Sequence, residues 1–189
     1  SAGILRTEGA GRHVLGMSEG VSGLLDGVND AGVAAALTFG GRHVYGSGFG
    51  IVQIIRYLLQ VASDAKDAAD VLRWMPCAWS HNVLVQDRSG KAIRAELAPD
   101  REPLVIDGNV VANHQAEVEP RPDSARRLGV ACALVEDAEA ARADEWLGTL
   151  YTAEYVPGES AVTFHWRNGS WVQSLTRFEP GERRVVYPV

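Results

Sequence analysis

The chain has 189 residues, of which 46% are hydrophobic and 22% charged, with a formal net charge of −6. That balance belongs to a folded, globular chain of about one domain and excludes a disordered one. The acidic charge argues against nucleic acid or an anionic membrane as the main partner, since both select clustered Lys and Arg.

The nearest basic cluster, Arg121, Arg126 and Arg127, is diluted by Glu117, Glu119 and Asp123. No apolar run approaches the ~20 residues that span a bilayer. The opening SAGILRTEGA lacks the basic start and apolar centre of a signal peptide. Two cysteines, Cys77 and Cys132, build no disulfide framework. Both are expected to be buried free thiols in a reducing cytoplasm.

The first part of the chain reads as β structure. Val14, Leu15 and Met17 precede a turn at Ser18-Glu19-Gly20, a strand over Val21–Val28 and a turn at Asn29-Asp30. Gly32–Phe39 is small and apolar enough for a strand buried on both faces. The glycine-rich loop Gly46–Gly50 then leads into a helix over Gly50–Ala62, where Ile51, Ile54, Ile55, Leu58, Leu59 and Ala62 share one face. Ser63 is placed to cap a second helix over Ser63–Met75, in which Ala65, Ala68, Ala69, Leu72 and Met75 repeat the spacing and Pro76 ends it.

Asn82–Gln86, a turn at 87–90 and Ala92–Leu97 form a strong hairpin signal. Leu104–Ile106 and Val110–Ala112 flank a second turn at Asp107-Gly108-Asn109. Ser124–Trp146 reads as helix with a break near Gly129 or Glu136. Thr149–Val156 and Ala161–Trp166 read as strands, as does a shorter stretch at Val185–Tyr187. This order predicts an α+β domain of antiparallel sheet covered by helices, not a regular βαβ winding.

Several stretches, in this order, resemble a known family. Gly23–Gly41 (GLLDGVNDAGVAAALTFGG) resembles the strand-turn-strand of the penicillin-acyltransferase-like and choloylglycine-hydrolase-like amide hydrolases, members of the N-terminal-nucleophile (Ntn) class. His81–Asp100 resembles their central hairpin, and Val110–Gln115 (VVANHQ) the strand end before a long loop. The closing LYTAEYVPGESAVTFHW and WVQS resemble their last hairpin.

The resemblance implies an αββα sandwich over one domain, residues 1–189, incomplete at its N-terminus. It implies hydrolysis or acyl transfer on a linear amide, with a small acyl-amide substrate and no cofactor or metal. The nucleophile of such enzymes is an N-terminal cysteine whose own α-amino group is the base, since a free amine titrates near neutral pH. That cysteine is expected ~30 residues upstream of Ser1, from typical strand and turn lengths. An upstream segment or a neighbouring subunit, as in a homo-oligomer, is therefore expected to complete the sheet. The alternative is a catalytically silent relative that binds a small ligand or a partner.

By the same resemblance, Asn113 matches the asparagine whose side-chain N–H holds the oxyanion. Thr38 matches a position that completes that hole, and Arg127 an arginine near the substrate. Read for themselves, these residues also suit a strand-end turn, a β-branched core position and a solvated arginine. Asn29 and Gly32 read as turn residues, and Glu96 as a buried, paired carboxylate.

Other constellations carry less. Ser1 is a poor substitute nucleophile, because it aligns after the nucleophile hairpin. Cys77 and His81 lie four apart, yet Cys77 reads as a buried thiol after a helix end. Cys132 reads as core beside Ala131 and Val135. The five histidines never pair at metal spacing. The GSGFG loop lacks the Lys-Ser/Thr of a nucleotide site and reads better as the mouth of a pocket. Trp146, Trp166 and Trp171 suit the core or an acyl pocket.

Overall fold

The computed structural model describes residues 2–7, 11–20, 22–136, 151–166 and 169–182. Seven strands follow one another in space in chain order: β1 (Ala2–Thr7), β2 (Val14–Glu19), β3 (Gly23–Asn29), β4 (Val33–Phe39), β5 (His81–Asp87), β6 (Ala92–Leu97) and β7 (Leu104–Asp107). Every pair is antiparallel. The excursion between β4 and β5 holds helices α1 (Ile51–Val61) and α2 (Ala65–Trp74). Helix α3 (Pro122–Glu136) follows the sheet, and β8 (Thr152–Val156), β9 (Ala161–Trp166) and β10 (Gly169–Ser174) form a separate antiparallel sheet.

Side chains alternate across a strand, so each strand of the large sheet feeds two cores. Val14, Val33, Ala35, Val83, Val85, Ile93, Ala95 and Leu97 pack against Ile54, Ile55, Leu58 and Leu59 of α1 and Ala68, Ala69 and Leu72 of α2. Leu15, Met17, Val28 and Ala34 point the other way, onto Val162, Phe164 and Leu175 beside the small sheet. A register shift between Met17 and Ser18 turns Leu24 to the helix side and leaves Leu25 with the small sheet. The layers are thus a helix pair, a seven-stranded sheet and a three-stranded sheet, the first three of the expected αββα order.

Two buried polar residues tie these layers. Asn29, wholly buried, donates its amide hydrogens to the Leu59 and Ala62 carbonyls at the C-terminus of α1, at 2.9 and 2.8 Å. Its Oδ1 accepts from the Ala31 and Val33 N–H groups, which shapes the β3–β4 turn. That turn needs Gly32, whose φ of 78° lies in the left-handed region. Between the sheets, Asp26 accepts hydrogen bonds from Tyr151 (2.5 Å) and Tyr155. Burial raises the Asp26 carboxyl above its ordinary 3.8, although the two tyrosines and the Met17 N–H pull it back. Burial and the facing Asp26 charge likewise push the Tyr155 phenol up.

Several readings of the sequence are corrected. Gly32–Phe39 is buried only through Ala35 and half-buried beyond, because the small sheet covers β4 only as far as Ala34. The cap of α2 is Asp64, which accepts from Asp67 N–H at 2.8 Å, while Ser63 N–H donates to the Asp67 carboxylate. Helix α3 begins at Pro122 and runs through Gly129 without a break, since its i→i−4 ladder tolerates glycine. Cys132 is exposed on α3, not core, whereas Cys77 is buried; both are free thiols. The expected continuation of α3 to Trp146, the start of the Thr149–Val156 strand and the Val185–Tyr187 strand lie outside the described residues.

Replacing Asn29 by Ala strips two bonds from helix carbonyls and two from turn amides. The expected cost is about 3 kcal/mol in urea unfolding, with α1 losing amide-exchange protection at its C-terminus first. Asp26 generates a pH signature. Its folded state binds a proton more tightly than the unfolded chain, so its contribution to stability is full below 3.8 and declines as pH rises through the raised folded value. The stability difference between Asp26→Asn and wild type should therefore shift in the variant's favour over that window. A difference flat with pH would contradict the raised carboxyl.

Candidate active site

Three strands of the large sheet place one polar residue each in register. Thr38 of β4 lies opposite Asn82 of β5, and Asn82 lies opposite Glu96 of β6. All three share the sheet face that carries Ala34, which the small sheet covers further along. Asn82 and Glu96 are buried, at 2% and 3% exposure, and Thr38 is half-buried. Polar groups at such depth need partners, and all three find theirs in one loop, residues 112–116.

Thr38 Oγ1 donates to the Ala112 carbonyl at 2.8 Å. The Asn82 amide donates to the Ala112 and His114 carbonyls at 2.7 and 2.9 Å. Glu96 Oε1 accepts from Ala116 N–H at 3.1 Å and also pairs with Arg94 and Arg101. Gln115, fully buried, donates to the Leu97 carbonyl at 3.0 Å and accepts from Arg101 at 2.5 Å, and its N–H reaches the Gly40 carbonyl. Val110–Ala112, read from sequence as a strand, is irregular: Thr38 and Asn82 take the Ala112 carbonyl, and no ladder forms there.

Asn113 sits in the middle of this held loop. It is half-buried, and its side-chain amide makes no hydrogen bond to a described residue, so a donor remains available. The structure brings Thr38 to it, since the Thr38 hydroxyl holds the carbonyl of the preceding residue. That hydroxyl hydrogen is thereby committed to the loop. Arg127 lies on α3. Buried Ser124 places its Oγ 2.8 Å from His114 Nδ1, and Arg127, three residues on, shares that helix face and is half-buried. Glu96 is the paired, buried carboxylate that the sequence predicts. The residues that sequence reasoning missed are Asn82, Gln115 and the His114–Ser124 pair. The first carries a local signal, because asparagine is depleted in strands and Asn82 stands directly before the apolar run Val83–Val85 of β5.

Cys77 and His81 do not pair with each other. The Cys77 thiol and His81 Nδ1 both turn to the Trp79 carbonyl, at 3.0 and 3.3 Å. Burial pushes the thiol up and the imidazole down, away from the thiolate–imidazolium form that a nucleophile needs. The GSGFG loop is pinned by Gly46 and Phe49 N–H groups to the Ala78 and Pro76 carbonyls. It borders a cluster of Phe39, His43, Tyr45, Trp79 and His81 rings. Trp166 packs with the small-sheet core, and Trp171 lines a cavity of about 310 Å³ with Gln173 and Arg177. Ser1 and Trp146 lie outside the described residues. Among these residues no helix is long and apolar enough to cross a membrane.

Residues 7–129, more than half of the chain, match the family described as acyl-coenzyme A:6-aminopenicillanic acid acyl-transferase. The chain belongs to this family. Solved structures share its fold. A variant conjugated bile acid hydrolase from Clostridium perfringens superposes with TM-score 0.65 at 12% identity, covering 94% of this chain and 82% of that one. Penicillin V acylase from Agrobacterium tumefaciens gives 0.65 at 16%, covering 88% and 70%. The N-acylethanolamine-hydrolyzing acid amidase ortholog of Caenorhabditis elegans gives 0.58 at 13%, covering 90% and 86%. No curated protein matches the sequence. The sandwich is the Ntn-hydrolase fold that the sequence resemblance implies.

Within this family member, Gly40 lies where the end of β4 meets the loop, its carbonyl accepting from Gln115 N–H. A Cβ there would sit 2.8 Å from the Ser80 carbonyl carbon and 2.9 Å from Gln115 Nε2. Gly40→Ala is expected to cost roughly 1–3 kcal/mol by overpacking. Thermal melting should report that loss, and amide exchange should locate it at 112–116 rather than in the helix pair.

Proposed function

We propose that this chain carries the oxyanion and substrate side of an Ntn amide hydrolase or acyltransferase acting on a linear acyl amide. The observation that carries the reading is Asn113: an uncommitted amide donor, half-buried, on a loop held at both flanking carbonyls by the sheet. Donors that need not reorganise stabilise a developing charge best. Asn113 Nδ2 is the proposed donor to the tetrahedral oxyanion, Thr38 holds the wall behind it, and Arg127 binds substrate from α3.

In this reading the nucleophile is an N-terminal cysteine supplied from upstream of residue 1 or by a neighbouring subunit. Its thiolate attacks the amide carbonyl while its α-amino group takes the thiol proton and passes it to the leaving amine. The resulting thioester is then released to water or to a second amine. The inner face around Thr38 and Asn82 lies past the cover of the small sheet, which is where a further strand would seat. Free thiols at Cys77 and Cys132 fit a reducing, cytoplasmic setting.

The test uses the natural full-length protein, with its N-terminus read by mass spectrometry. Amine release is followed from three linear amides: penicillin V, a glycine-conjugated bile acid and an N-acylethanolamine. The expected result is an N-terminal cysteine and turnover of at least one amide, with Asn113→Ala lowering kcat about 100-fold and leaving KM nearly unchanged. A mature chain that starts without cysteine and releases no amine would support a silent, ligand-binding relative instead.

A further inference from the structure

Asn82 sits one strand away from Thr38, and its hydrogen bonds are fully determined. A side-chain amide has two hydrogens. Here they meet the Ala112 and His114 carbonyls, at 2.7 and 2.9 Å, on either side of Asn113. The contact to Thr38 Oγ1 is longer, at 3.4 Å, and that hydroxyl gives its own hydrogen to Ala112. A flipped amide would set Oδ1 against two carbonyl oxygens, so the orientation is unique. The remaining atom, Oδ1, is buried and has no partner among the described residues. Buried side-chain polar atoms are normally satisfied, as all of those of Asn29 are.

The residue type matches the task. Only a short planar amide donates two hydrogens, a fixed distance apart, to two acceptors two residues apart in sequence. An ionised Asp would repel both carbonyls, Ser would reach one, and Leu neither. With both carbonyls fixed, the peptide that enters Asn113 and the one that leaves His114 cannot rotate freely, and the backbone of Asn113 is held between them. The anchor is itself rigid, because Asn82 lies between two paired strands and is 2% exposed.

We infer that Asn82 is the positioning residue of the oxyanion donor, holding Asn113 in its productive direction from the neighbouring strand. This rests on the reading of Asn113 as that donor. It adds a residue that acts through Asn113 and touches no substrate.

The experiment uses the natural full-length protein and whichever of the three amides above it cleaves fastest. Asn82→Asp is compared alone and together with Asn113→Ala, and backbone amide exchange is followed in the same proteins. The expected result is a kcat lowered about 30-fold by N82D, with KM within about twofold. In the N113A background N82D should cost nearly nothing more, because the group it positions is gone. Exchange at 112–116 should rise at least ~10-fold while Val83 and Val85 in β5 keep their protection. An equal kcat loss in both backgrounds, or unchanged exchange at 112–116, would overturn the assignment. Full kcat in N113A would sink the oxyanion reading alone; the exchange data then still decide whether Asn82 positions this loop. Should N82D fail to fold, Asn82→Ser retains one donor and should give intermediate exchange, whereas wild-type exchange there would refute the positioning.

Discussion

The arrangement depends on one constraint: in three paired antiparallel strands, residues in register point to the same face. Thr38, Asn82 and Glu96 form such a row, and each makes at least one hydrogen bond to the loop 112–116. A row shifted by one residue would send all three side chains to the helix face, into the apolar core of Val83, Ala95 and Leu97. Register is in turn secured by that core, since the same strands must bury Val83, Val85, Ile93 and Ala95 under the helix pair. Hydrophobic packing on one side of the sheet thus places the polar row on the other.

Energy and geometry are divided between the two faces. The helix face supplies apolar burial, and Asn29 bolts the end of α1 to the β3–β4 turn. The inner face is polar at two places. Asp26 with Tyr151 and Tyr155 ties the two sheets where the small sheet covers β3, and the Thr38–Asn82–Glu96 row supports the candidate site where that cover ends. Gln115 and Arg101 extend the row into a connected network, in which removal of one member leaves others buried without partners. Helix α3 joins it through His114 and Ser124, and Arg127 follows on the same helix one turn later.

Much of this was legible locally. The helix pair follows from apolar spacing over Ile51–Ala62 and Ala65–Met75, and the β5–β6 hairpin from alternation around the Asp87–Gly90 turn. Strand β1 was not read, because AGILRT is short and lacks a turn signal on its far side. Strand β10 showed itself only through the WVQS resemblance. Asn29 reads as a turn residue in sequence, yet half of its bonds go to a helix some thirty residues away, which no local pattern records. Asn82 stands out locally as an asparagine within a strand, but its role does not, since its partners lie at 112 and 114. Cys132 misled because Ala131 and Val135 suggest a buried face, but α3 turns the thiol outward. Asn113 and Thr38 were reachable through family resemblance, and what connects them required the fold.

The central claim is that side chains of the sheet, Asn82 above all, hold the loop that carries Asn113. Nitrogen-edited NMR of the side-chain amides of the natural protein tests it most directly. The two Asn82 hydrogens, each donated to a buried carbonyl, should exchange with solvent at least ~100-fold more slowly than those of an exposed asparagine, while the Asn113 amide, without a protein acceptor, exchanges fast. Fast exchange at Asn82, or equal protection at Asn82 and Asn113, would contradict the account.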